Sequence, residues 1–170
     1  MKKITIAVLS VLLSVLLFSC AAVPGTEELS GAFRAPFEAE VKIQNKENEY
    51  AAAVKFDGNA LTFDFSEPAL LCGVSFIFTD GESKIVYNGL GIPVDVNGAA
   101  DKLSGGVPDW KKLLEAGEEY TVRRAGEQYT MTDGETEYRF DKETKIPVYI
   151  KSGYVNITFI SFRVINDKTS

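Results

Sequence analysis

The sequence predicts a mainly β protein, an α+β chain built as an antiparallel meander of about ten short strands with one short helix between its halves. Apolar residues alternate with polar ones at period two, as in Phe37, Ala39, Val41 and Ile43 against Glu38, Glu40, Lys42 and Gln44. Turn dipeptides (Asp57-Gly58, Asp80-Gly81, Ala125-Gly126, Asp133-Gly134 and Ser152-Gly153) separate such runs at hairpin spacing. Helical character is convincing only over residues 108–115, PDWKKLLE. There Pro108 suits a first-turn position, Asp109 favours the positive helix start, and Trp110, Leu113 and Leu114 share a face before Gly117.

The chain opens with Lys2 and Lys3, then runs apolar from Ile4 to Phe18, broken by Thr5, Ser10 and Ser14. A basic head, a short greasy core and a small residue before a processing point make a secretory signal. The core is ~15 residues, short of the ~20 that span a bilayer. Its last four residues, Leu17-Phe18-Ser19-Cys20, resemble the bacterial lipobox, with an apolar residue three before the cysteine and a small one directly before it. That resemblance implies that residues 1–19 are a removed lipoprotein signal and that Cys20 carries the acyl chains. The product is then exported and lipid-anchored, at the outer face of the cell membrane or in an outer membrane according to the envelope. Each buried methylene of such an anchor contributes about 0.8 kcal/mol.

Residues 20–35 mix small, Pro, Gly and acidic residues without period, which predicts a flexible tether. A single domain over 36–165 and a short tail over 166–170 follow. Strands are predicted at 37–44, 50–56, 59–66, 74–79 and 84–88, and a long glycine-bearing loop over 89–106. Further strands are predicted at 119–124, 127–132, 135–140, 146–151 and 154–164. In the last of these Val155, Ile157 and Phe159 hold one phase while Ile160, Phe162 and Val164 hold the other, which requires a bulge or bend.

Composition excludes several function classes. The net charge of −6 becomes −8 once Lys2 and Lys3 are removed. An acidic domain is a poor nucleic-acid binder and is not drawn to anionic lipid, so attachment falls to acyl chains. The chain contains no histidine. Ser-His-Asp and Cys-His nucleophile systems, imidazole proton shuttles and His-ligated metal sites are therefore absent. No cofactor, metal or catalytic residue is expected. The acidic pairs Asp64 with Glu67 and Asp80 with Glu82 read as solvated strand faces and turns, and the Asp133–Glu137 run lacks EF-hand spacing. With Cys20 committed to lipid, Cys72 has no partner; among Leu70, Leu71 and Val74 it reads as a small buried hydrophobe. Arg123-Arg124 places one guanidinium on each face of its strand, the inward one a candidate for a carboxylate or a ligand head group.

The order of elements resembles the outer-membrane lipoprotein carrier superfamily. The residues behind it are the run Leu61–Leu70 with an aromatic strand and Pro68, the strand Phe76–Phe78 leading to Asp80-Gly81, and Ile85–Tyr87. Ile146–Ile150 followed by Ile157–Phe162 completes it. The family folds as an open half-barrel with helices lidding a greasy concavity. The resemblance implies that fold here, the helix near 108–115 covering the concave face, and an apolar lining of Leu61, Phe63, Phe65, Val74, Phe76, Phe78, Tyr87 and Trp110. The long amino-terminal helix of the carriers is not evident in the sequence. A lipid or a lipidated protein is the ligand implied. Aromatics at strand period equally suit a packed core. An interaction module that docks an envelope protein through the curved sheet or a sheet edge is the second reading.

Overall fold

The computed structural model describes residues 23–46, 48–79, 82–94 and 120–165. Eleven antiparallel strands form one sheet in the spatial order β6-β5-β4-β3-β2-β1-β11-β10-β9-β8-β7. The first six are β1 (Phe37–Asn45), β2 (Asn48–Phe56), β3 (Leu61–Glu67), β4 (Val74–Phe78), β5 (Ser83–Tyr87) and β6 (Leu90–Val94). The rest are β7 (Thr121–Ala125), β8 (Gln128–Thr132), β9 (Thr136–Asp141), β10 (Pro147–Ser152) and β11 (Val155–Val164). The two meanders join where β11 returns to pair with β1 along its whole length. The outermost strands β6 and β7 do not pair, so the curled sheet remains an open half-barrel.

The alternation in β1 appears directly in burial. Phe37, Ala39, Val41 and Ile43 are buried, while Glu40, Lys42 and Gln44 face solvent. Antiparallel register carries this inner face across the sheet, since directly paired residues share a side. Phe37 lies opposite Phe56, Ala39 opposite Val54 and Val41 opposite Ala52. In the other direction Ile43 lies opposite Ile157, which faces Ile150, then Tyr138 and Met131. On the outer face Glu38 receives Arg163 Nη2 at 2.6 Å and Lys55 at 3.7 Å. The Arg163 hydrogen bond holds the Glu38 carboxyl below its usual range.

The phase switch in β11 is a bulge. Glu40 pairs with Ser161 and Val41 with Phe159, leaving Ile160 as the extra residue. Ile160 is 59% exposed, and the Glu40 N–H, displaced from the ladder, donates to Ser161 Oγ at 3.2 Å. Past the bulge Phe162 turns inward and stacks on Phe37 at 4.9 Å between ring centroids.

The tether expected over residues 20–35 is corrected for its latter part, where α1 spans Thr26–Arg34. Leu29 and Phe33, four apart on one helical face, are fully buried with Ser30. The Phe33 ring meets Phe37 and Phe140 at 6.0 Å, Phe162 at 5.8 Å and Phe159 at 6.2 Å. Glu27 and Glu28 in the first turn and Arg34 in the last complement the helix dipole, and Glu28 pairs with Lys145. The chain thus does have an amino-terminal helix against the sheet, though a short one. The helix expected at 108–115, Trp110 included, lies outside the described residues.

Two further expectations change. The start of the predicted 89–106 loop is β6, joined to β5 through Asn88 (φ 50°) and Gly89 (φ 78°). Two consecutive left-handed residues make the turn whose twist matches a hairpin. Cys72 is exposed rather than buried. Its register explains this: Ser66 is a bulge residue in β3, and a 3-10 turn over Ala69–Leu71 carries the following residues off the sheet. The Cys72 thiol donates to the Ser66 carbonyl at 2.8 Å, and neighbouring Leu70 is 89% exposed.

Candidate functional site: an apolar shelf on the inner face

Most of the sequence-predicted lining comes together on one face. Leu61 lies opposite Phe78 and Phe63 opposite Phe76, while Val74 lies opposite Tyr87. Edge-on ring contacts knit the group: Phe63 to Phe78 at 6.0 Å, Phe65 to Phe76 at 5.4 Å and Tyr50 to Phe65 at 6.2 Å. Trp110 falls outside the described residues and is not placed with them.

These residues are not equivalent. Leu61 and Phe63 are buried and belong to the core beside Val54 and Phe56. Phe65, Val74, Phe76 and Phe78 are half-buried. Tyr87 is 52% exposed, and on β6 Leu90 and Ile92 reach 73% and 64%. Leu90 pairs with Tyr87 and Ile92 with Ile85, so both continue the same inner face. The face therefore runs from a sealed core on β3 to an open apolar shelf on β5 and β6. α1 covers the opposite part, around Phe37, Phe140 and Phe162.

Tyr50, Ile85, Leu90 and Ile92 were missed from sequence. The signal for the β6 pair was present: Asn88-Gly89 is a hairpin dipeptide, and Leu90 and Ile92 alternate after it. Gly91 and Pro93 disguised the strand as loop. Pro93 is admissible there because β6 is an edge. The closing pair of a two-residue hairpin exchanges its backbone bonds, so by alternation Gly91 and Pro93 turn theirs to the free edge. A proline has no N–H to offer, which blunts that edge against strand addition. On the other edge, Arg123 and Arg124 are both exposed.

The loop tips add to the asymmetry. Leu70 follows β3, Tyr87 and Leu90 flank the β5–β6 turn, and Tyr154 lies in the β10–β11 turn, all at the end of the sheet where β1 terminates. All four are exposed, and Lys46 sits 4.8 Å from the Tyr154 ring centroid.

The shelf offers little for acid–base chemistry. The shifted carboxylates lie on turns and the outer face. Asp57 is held below its usual range by the N–H groups of Ala60 and Asn59, and Asp141 by the Thr144 N–H and hydroxyl. Polar groups on the inner face include Thr136 and Ser152, which hydrogen-bond each other at 3.2 Å. Among the described residues no cluster of three or more Cys, Asp or Glu side chains could hold a metal ion. What this arrangement offers is a row of exposed apolar side chains beside a packed core.

No protein-family model matches the sequence, and no curated protein matches it. Solved structures do share the fold. An uncharacterized conserved protein from Thermus thermophilus superposes with a TM-score of 0.54 at 13% identity, over 82% of this chain and 85% of that one. MucB, from Pseudomonas aeruginosa, superposes at 0.50 with 15% identity over 81% of this chain. The chain spans 56% of the length of MucB. A putative outer membrane lipoprotein-sorting protein domain from Vibrio parahaemolyticus lies further off, at 0.46 and 8% identity, over 85% of this chain and 92% of that one. At these identities the likeness is one of fold.

Proposed function

We propose that this chain is a non-enzymatic lipoprotein of the cell envelope, anchored through acyl chains on Cys20, that holds an acyl chain of a lipid or acylated ligand against the inner face of its half-barrel. The observation that carries this reading is the gradient along that face, from buried Leu61 and Phe63 to Leu90 at 73% and Ile92 at 64% exposure. Large apolar side chains left open beside a packed core mark a surface that gains by being covered. Both sheet edges are blunted, which favours the face over the edge as the place where a ligand sits.

Residues 21–170, made without the anchor, contain every residue of the described core. Native mass spectrometry of this form tests the reading. A bound mass in the lipid range, lost on denaturation, is the expected result. A bare polypeptide mass that stays bare after incubation with palmitate would overturn it, and would favour docking of a protein, as in the complex of MucB with MucA(peri).

A further inference from the structure

We draw no further inference here: the strongest candidate, the row of exposed side chains Leu70, Tyr87, Leu90 and Tyr154 on the turns at the end of the sheet where β1 terminates, is an unpartnered apolar surface, and nothing in the structure shows what covers it.

Discussion

Replacing Phe33 with alanine is expected to cost about 3–5 kcal/mol of stability, the range for a large aromatic removed from a core. The ring is fully buried and is met by Phe37, Phe140, Phe159 and Phe162, which come from both meanders. Its loss opens a cavity at the seam between β1 and β11, where the two meanders are joined. Domains of this size are stable by about 5–15 kcal/mol, so about a fifth of the total or more is at stake. Urea denaturation of residues 21–170 would show the transition midpoint moved sharply down. If residues 26–34 were only a tether, stability would change by no more than about 0.5 kcal/mol, as with surface substitutions. The variant thus separates the helix from the tether as well as measuring it.

Inserting one alanine between Ser161 and Phe162 is the second large perturbation. Ile160 is the unpaired residue that lets Phe159 and Phe162 both point inward. One further residue after it turns every later residue of β11 to the other side, because a strand's period is two. Phe162 and Val164 would leave the inner face, and Arg163 would be driven into it. Each displaced apolar side chain forfeits about 1.5–3 kcal/mol, and an unpaired inward guanidinium adds to the loss. The insertion is expected to leave the chain unfolded or molten by circular dichroism. Ile160→Thr, which keeps the extra residue, should stay within about 0.5 kcal/mol of wild type. An insertion variant with an unchanged urea midpoint would contradict the register.

These two sites also show where the sequence was readable. The bulge was legible because two apolar triplets of opposite phase in one strand leave no regular alternative. The alternation in β1 likewise announced which side of the sheet is dry. α1 was hidden because its buried side rests on Leu29 and Phe33, separated by Ser30, Gly31 and Ala32, in a stretch rich in small residues. Its helicity comes from packing against the sheet more than from propensity. β6 was hidden by Gly91 and Pro93, residues that an edge strand tolerates and an interior strand does not.

The candidate site was legible as a face and not as a surface. Periodicity places Phe63 and Tyr87 on the same side, and the registers agree. It cannot say that neighbours bury Phe63 completely while Tyr87 remains open, because that depends on how many strands and which helix cover each position. Cys72 was misjudged for the same reason. Its apolar neighbours in sequence are carried off the sheet by the turn after β3, and Leu70 goes with them.

The most direct test of the acyl-binding reading is nuclear magnetic resonance of isotope-labelled residues 21–170 titrated with palmitate. Shifts are expected at inner-face side chains of the open shelf: Val74, Phe76, Ile85, Tyr87, Leu90 and Ile92. Ser75, Ile77 and Lys84, on the outer face of β4 and β5, should not respond. Shifts on the outer face instead, or none at saturating palmitate, would contradict acyl binding on this face.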